Sequence, residues 1–451
     1  MIQTHVTPQN FSLPDNTQQV MLGVFDTDGV FRGKRMSKEK FLNSMRDGFG
    51  FCNVVLGWDI DDQLYDNTTF TGWHSGYPDA HVQIIENSKR VLPFEENSLL
   101  YLCEFIGHAG KICPRQILKK VLDRAAQHNL FFHSALEYEF FMFEETPQSI
   151  QDKGFQNLKP FTTGNHGYSV LRHTVQQAFH ESLLNLSRTM NFEIEGLHCE
   201  TGPGVLEAAI GVDKALNSAD KAAIFKTFTK VLAQQQSLMA TFMAKWSPNH
   251  PGQSGHIHIS AQNKNHDALF YDPKREHNIS QTMLYSLGGL QHLAPEFTAL
   301  FAPTINSYTR LVPGFWAPTH SNWGIDNRTC SIRVIEGSAK SQRIEFRAGG
   351  ADGNPYLALS AAIGAMIWGI ENKIIPTAPI EGNAYTQQGE QSIPLPSHLL
   401  DATQRLKHSQ AAKELFGHDF VEHFTATREW EVRQANQAIT DWQLKRYFEA
   451  I

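Results

Sequence analysis

Leu136-Glu137-Tyr138-Glu139-Phe140-Phe141-Met142-Phe143 is an aromatic-rich run closed by the turn-like Glu144-Glu145-Thr146-Pro147, and it predicts a strand. Alternation along a strand puts Glu137 and Glu139 on one side and Leu136, Tyr138 and Phe140 on the other. Two adjacent carboxylates on so apolar a strand repel each other, and burying either one unpaired is costly. A bound cation removes both costs. The other reading is a half-exposed strand whose acidic face lies in water.

Three more stretches carry faces of the same kind. Gly255-His256-Ile257-His258-Ile259 sets His256 and His258 on one side, and Arg343-Ile344-Glu345-Phe346-Arg347 does the same for Arg343, Glu345 and Arg347. Glu200 and Glu207 flank a Gly202-Pro203-Gly204 turn. A concave sheet lined by these faces would gather carboxylates, imidazoles and guanidiniums, a mixture suited to divalent cations and an anionic substrate. Singly, each residue keeps a plainer reading: an arginine in a surface ion pair, or His258 as a satisfied buried histidine.

Other elements must position these faces. Val20–Asp26 predicts a strand entering a turn at Thr27-Asp28-Gly29 and returning over Val30–Lys34, and Ser37 caps a helix to Met45. Asp59–Pro78 is expected to be a long loop, a length that usually has a task. Cys113-Pro114 opens a helix with Ile117, Leu118, Val121, Leu122 and Ala125 at helical spacing, which marks a second domain. Helical periodicity follows over Ser169–Met190, Ala219–Met243, part of Phe270–Leu300, Leu357–Ile370 and Leu399–Phe416, and Glu381–Pro396 is expected to be a surface loop.

The chain has 451 residues, 41% hydrophobic and 19% charged, as in ordinary globular proteins. Its net charge of -7 argues against nucleic-acid binding or attraction to anionic membranes. The apolar run Leu357–Ile370 is too short to span a bilayer. Met1–Pro8 lacks a leader pattern, and five scattered cysteines without a CxxC pair suit reduced thiols, so a cytoplasmic protein is expected.

In chain order, Glu137-Tyr138-Glu139, Gly255-His256-Ile257-His258, Asn306-Ser307-Tyr308-Thr309-Arg310-Leu311-Val312-Pro313-Gly314, Asn327-Arg328-Thr329-Cys330-Ser331-Ile332-Arg333, Arg343-Ile344-Glu345-Phe346-Arg347 and Asn354-Pro355-Tyr356 strongly resemble the motifs of the glutamine synthetase family. The resemblance implies an α+β chain: a small N-terminal β-grasp domain over 1–110, and over 111–451 a catalytic domain with a curved antiparallel sheet flanked by helices. It implies an enzyme that joins an amine to the γ-carboxylate of glutamate with ATP, through γ-glutamyl phosphate, using two or three Mg2+ or Mn2+ ions. One ion would be held by Glu139, Glu200 and Glu207, and another by Glu137, His256 and Glu345. Arg310, Arg328 and Arg347 match residues gripping substrate carboxylates or the transferred phosphoryl group, so Arg310 and Arg328 are taken as catalytic. Arg333, Arg343 and Lys340 match the nucleotide side with His258 and Ser260. Gly252 would let backbone approach the substrate, and Tyr168 matches a position near the site only approximately.

The departures lie on the amine side. Ammonia-using bacterial members carry Glu where this chain has Trp316, whose indole cannot act as that anion but can attract a cation or pack on an alkyl chain. Their ammonium-deprotonating Asp has Asp59 as its leading counterpart, in Gly57-Trp58-Asp59, with Asp61, Asp62, Asp66 and Asp79 as alternatives. These positions resemble the branch that makes γ-glutamyl amides of putrescine, other polyamines or ethanolamine. The expectation is therefore a γ-glutamylpolyamine synthetase, with ammonia-using glutamine synthetase as the alternative and a catalytically silent structural member as a third reading. The family also implies stacked hexameric rings in which Asp59 acts in a neighbouring subunit. Tyr385 lies in an expected loop with no distinctive motif around it.

Overall fold

The computed structural model describes residues 13–387 and 392–451. The stretch read for a leader, Met1–Pro8, and part of the loop expected over 381–396 lie outside the described residues.

The first of two large sheets contains β1 (Gln19–Phe25), β2 (Phe31–Ser37), β3 (Phe49–Cys52), β4 (Asp79–Ile84), β5 (Arg90–Val91) and β6 (Ser98–Phe105). Its order is β2-β1-β6-β4-β3, with β5 beside β6. β1 and β6 run parallel, and the other pairs are antiparallel. The β1–β2 turn forms as expected because Asp26 Oδ1 accepts the Asp28 and Val30 amides at 3.0 and 2.8 Å while Gly29 takes φ 79°. Ser37 caps the helix Lys38–Asp47, which buries Phe41 against Tyr101. β6 is apolar on both sides: Leu99, Tyr101 and Cys103 enter a small core with Val20 and Leu22, while Leu100 and Leu102 join the large one.

The second sheet contains β7 (Phe131–Phe143), β8 (Ile194–Cys199), β9 (Val205–Ile210), β10 (Asp213–Lys214), β11 (Met239–Thr241) and β12 (Gly255–Gln262). A short separate pair, β13 (His320–Ser321) with β17 (Ile393–Pro394), brackets its remaining strands β14 (Trp323–Ile325), β15 (Ile332–Ile335) and β16 (Arg343–Phe346). The order is β14-β15-β16-β12-β7-β9-β8, with β10 and β11 also on β7. All pairs are antiparallel except β14–β15. The apolar face packs under helices. Tyr138 and Phe140 meet Phe225 of Ala215–Gln235 at 6.1 and 5.9 Å, and Phe346 meets Phe301 of Gln281–Phe301 at 4.4 Å between centroids.

Behind them lies the apolar helix Pro355–Glu371, capped by Asn354. It crosses Gln281–Phe301 at Gly289 and Gly369, where a Cβ on Gly289 would stand 2.1 Å from the Ala365 carbonyl. Pro295, inside the same helix, offers no N–H to the Gln291 carbonyl, and Ser321 Oγ donates to it instead at 2.7 Å.

Several boundaries differ from those the periodicity predicts. The β7 strand begins five residues before the acidic run. Ser169–Met190 holds two helices, Val170–Val175 and Gln177–Thr189, separated at the non-helical Gln176. The helix expected over Ala219–Met243 ends at Gln235, because Ser237 turns left-handed at φ 56°, and Met239–Thr241 pairs with β7. Leu399–Phe416 is broken at Ser409, whose hydroxyl caps the second helix by accepting the Ala412 amide.

The hairpin turn is tied to the C-terminal helix His418–Gln437 by Arg428, which is 1% exposed. Its guanidinium donates to Asp28 at 2.7 Å and to the Pro303 carbonyl at 2.9 Å. Removing one member of a buried pair strands the other charge. Arg428→Met is expected to destabilise the protein by about 3–5 kcal/mol, read as a lower urea midpoint; an unchanged midpoint would contradict this role.

Candidate active site

Strand register assembles the site. Glu137 faces His256 across β7–β12, and Glu139 faces Glu207 across β7–β9. His258 faces Glu345, which in turn faces Arg333. In β7 the even-numbered residues from 132 to 138 are buried and the odd-numbered ones are half-buried or exposed, so the carboxylates look into an open concavity.

The charges at one end of this face are satisfied by the protein. Arg333 donates to Glu345 at 2.8 Å, and Arg347 bonds its other oxygen. Burial works to raise the Glu345 pKa, but His256, Arg347, His258 and Arg333 hold it down at about 2. Burial likewise opposes ionisation of Glu137, and hydrogen bonds from His256 and His258 keep it well below the usual carboxylate range.

The other end is not satisfied. Burial first, then the Glu139, Glu137 and Glu200 charges, push Glu207 up to about 9. His198, opposite Glu207 in the register, stands 3.3 Å from Glu200 and 3.8 Å from Glu207. Burial of Glu200 is outweighed by its bonds with His198 and the Thr201 amide, so its pKa is lowered.

Two groups have ligand atoms close enough for an ion: Glu137, His258 and Glu345, and His198, Glu200 and Glu207. Both histidines bear on the first. Arg343 Nε donates to His258 Nδ1 at 3.2 Å, so a neutral His258 carries its proton on Nε2, which lies 3.3 Å from Glu137. His256 Nδ1 is hydrogen-bonded to Glu137 at 3.4 Å and lies 3.6 Å from Glu345. Both imidazoles thus bear on the Glu137 carboxylate, and His258 is the one whose ligand atom gathers with Glu137 and Glu345. Oxygen-rich groups with one imidazole fit Mg2+ or Mn2+. Beside the second group Glu139 accepts the Ser254 amide at 2.6 Å, and it faces Glu207 in the register, where its charge helps to raise the Glu207 pKa.

Arg310 is fully buried in the β12–β16 corner. Its Nη2 donates to the carbonyls of Arg347, Ala348 and Gly349, which fixes the guanidinium. Gly252 is required there: a Cβ would stand 2.5 Å from Arg310 Cγ. Arg328 is exposed and lines a cleft of about 440 Å³ with His277, Asp326, Asn327, Ile380 and Glu381. Ser260 lies further along β12 opposite His133, and Lys340 is exposed on the β15–β16 turn.

The amine-side residues stand apart from these groups. Asp59 organises its own loop, Oδ1 accepting the Asp61 and Gln63 amides at 2.9 and 2.8 Å. Asp62 pairs with Arg32 and Asp66 with Arg433, and the loop rests on His418–Gln437 through Asn67 and Tyr65. Trp316 is 56% exposed at φ 59°. His198 was not among the predicted site residues. Its signal was the spacing His198-Cys199-Glu200, which places both polar residues on one face of a strand. Tyr168 stacks on it at 4.4 Å between centroids.

Residues 111–447 match the family described as glutamine synthetase, catalytic domain. Type-1 glutamine synthetase 2 of Dictyostelium discoideum is 43% identical over 94% of this chain and 82% of its own length. A glutamate–isopropylamine ligase of a Pseudomonas species is 35% identical over 98% and 97%. A solved GmaS/ADP complex superposes with a TM-score of 0.84 at 24% identity, covering 96% of this chain and 97% of that one.

A cation bound by Glu207 must displace the proton that carboxyl holds up to about pH 9. Calorimetry with Mg2+ in buffers of different ionisation enthalpy is expected to show about one proton released per ion bound there, with affinity rising about tenfold per pH unit between about pH 6 and 8. The raised pKa also means that the cation-free fold binds an extra proton between the ordinary value of 4.5 and about 9. Its stability therefore falls as pH rises through that window. The melting-temperature gap between Mg2+-loaded and cation-free protein should widen from about pH 5 to about pH 9, and Glu207→Gln should flatten it.

Proposed function

This chain belongs to the glutamine synthetase family and is an ATP-dependent carbon–nitrogen ligase, and from that premise we propose that it joins the γ-carboxylate of glutamate to a small organic amine, with putrescine or another polyamine as the acceptor. The observation that carries the ligase chemistry is one sheet face holding two cation-binding groups beside Arg310, Arg333, Arg343 and Arg347. Attack of a carboxylate on a triphosphate meets strong like-charge repulsion, and this face supplies the opposing charge.

In the proposed reaction a γ-carboxylate oxygen of glutamate attacks the γ-phosphorus of ATP. The bond to ADP breaks, giving γ-glutamyl phosphate. The amine nitrogen then attacks the γ-carbonyl carbon, phosphate leaves, and Asp59 takes the proton. Arg310, Arg328 and Arg347 grip the anionic oxygens, with Gly252 keeping Arg310 in place. His258, Ser260, Arg333, Lys340 and Arg343 face the nucleotide. Mg2+ or Mn2+ held by Glu139, Glu200 and Glu207, and by Glu137, His256 and Glu345, would supply neutralising charge at the phosphoryl group, and a third ion would fit the same acidic face.

Trp316 in place of a carboxylate favours an organic ammonium over ammonia, because an indole face attracts a cation and packs on its alkyl chain. The relative named for isopropylamine supports an organic acceptor. The relative named glutamine synthetase supports a second reading, in which ammonia is accepted despite Trp316. In the structural part of the proposal, residues up to 110 form a β-grasp domain and 111–451 the catalytic domain. Copies assemble into stacked hexameric rings in which Asp59 completes a neighbour's site. Reduced cysteines suit a cytoplasmic enzyme; among the described residues no helix is long and apolar enough to cross a membrane.

The test is ATP- and glutamate-dependent phosphate release with Mg2+ across ammonia, putrescine, spermidine, ethanolamine and no amine. Turnover with a diamine well above that with ammonia is expected, and Trp316→Glu should move the preference about tenfold or more towards ammonia. A wild-type preference for ammonia would favour the second reading. Glu137→Gln should lower kcat by about 100-fold or more with every amine; full activity would remove the strand face from the mechanism.

A further inference from the structure

Arg310 Nη1, Arg347 Nε and Tyr385 Oη, buried near the β12–β16 corner, have no hydrogen-bond partner among the described residues. All three are donors when the phenol is protonated, and a buried donor without an acceptor is costly. They belong to one neighbourhood: Arg310 Nη2 donates to the Arg347 carbonyl, the Arg347 amide donates to the Ser331 carbonyl at 2.8 Å, and Cys330 packs with Ala384, the residue before Tyr385. The two arginines cannot turn away. Arg310 is pinned by three backbone carbonyls, and Arg347 is held by Glu345 through its Nη1.

Tyr385 is also placed by the frame of the site. Asn327 Nδ2 donates to the Ile380 and Gly382 carbonyls at 3.1 and 2.8 Å, and the Ala384 amide donates to Thr329 Oγ1 at 2.9 Å. Cys330, Ile380 and Ala384 form a small apolar cluster beneath the loop. The residues on either side of Arg328 thus fix the segment that delivers the phenol. Its ring is partly exposed while its oxygen is buried, so the side chain points inward. Burial raises the phenol pKa against the pull of Arg347 and Arg310, which keeps it protonated at neutral pH.

Three neighbouring buried donors without a hydrogen bond among the described residues suit an anionic oxygen. We infer that Tyr385 is a substrate-binding residue whose hydroxyl donates, with Arg310 and Arg347, to one anionic oxygen. That oxygen belongs to a carboxylate of the amino-acid substrate or to the phosphoryl group passing to it. The identity of the ligand rests on the proposed ligase reading; the existence of the anion site does not.

The experiment compares full-length wild type with Tyr385→Phe, which removes one oxygen and keeps the ring. Calorimetry measures L-glutamate and inorganic phosphate separately, each with Mg2+ and ADP, and a melting curve checks the fold. The expected result is an affinity for one of these anions about tenfold weaker in Tyr385→Phe, with ADP affinity and melting temperature unchanged. Loss confined to glutamate assigns the carboxylate, and loss confined to phosphate assigns the phosphoryl oxygen. In the carboxylate case the steady-state glutamate KM should also rise while the ATP KM holds. Wild-type affinity for both anions in Tyr385→Phe overturns the inference, whatever the amine panel shows. If wild type binds phosphate but never turns over glutamate, the ligase reading fails while the phosphate arm still decides the role of Tyr385.

Discussion

Repulsion among carboxylates on one sheet face is what the rest of the structure answers to. Glu137, Glu139, Glu200, Glu207 and Glu345 project from three strands and the β8–β9 turn onto one sheet face. The protein's own cations settle one side, where Arg333 and Arg347 hold Glu345 ionised and two imidazoles hold Glu137. At Glu207 the pull of Arg347 is outweighed by burial and the neighbouring carboxylates, and the proton stays. The imbalance gives the face its chemistry. A divalent cation gains most where the fold has left negative charge uncompensated, and an anionic substrate gains most where arginines are anchored with donors to spare.

Such a face stays in place only because its reverse side is apolar and tightly held. Tyr138, Phe140 and Phe346 lock onto Phe225 and Phe301, and the helices behind approach each other closely at Gly289 and Gly369. Antiparallel register then turns the regular two-residue alternation into rows of facing side chains, and Glu200 alone of the five carboxylates is aimed by a turn. Where the chain does leave the sheet, side chains take over the positioning: Asn327 and Thr329 hold the loop of Tyr385, and Gly252 makes room for Arg310.

The stretch from Asp59 to Asp66 is built differently: Asp59 caps two amides of its own loop, and Asp62 and Asp66 hold Arg32 and Arg433 from elsewhere in the chain. The loop leans on the C-terminal helix, and Arg428 joins that helix to the first hairpin, so the first sheet and the end of the chain form one support. Residues carried on such a loop can be exchanged without disturbing the sheet face, because the two are held by separate contacts.

The sequence by itself determined the strand faces, the hairpin and its Ser37-capped helix, the Pro-capped helices and the family, because each depends on neighbours within a few residues or on motif order. Alternation alone put Glu137 with Glu139 and His256 with His258. Helix ends were less legible: Ser237 and Ser409 stop helices through one left-handed residue and one side-chain cap that periodicity does not register. Only the tertiary structure decided the rest. The tautomer of a neutral His258 depends on Arg343 reaching it across a strand pair, and His198 joins the acidic group only once β8 lies beside β9. Tyr385 meets Arg310 and Arg347 across gaps of 75 and 38 residues, a closeness no local pattern encodes. Local sterics and side-chain alternation are written in the order of residues. The field at an ionisable group is set by whatever the whole fold brings near it.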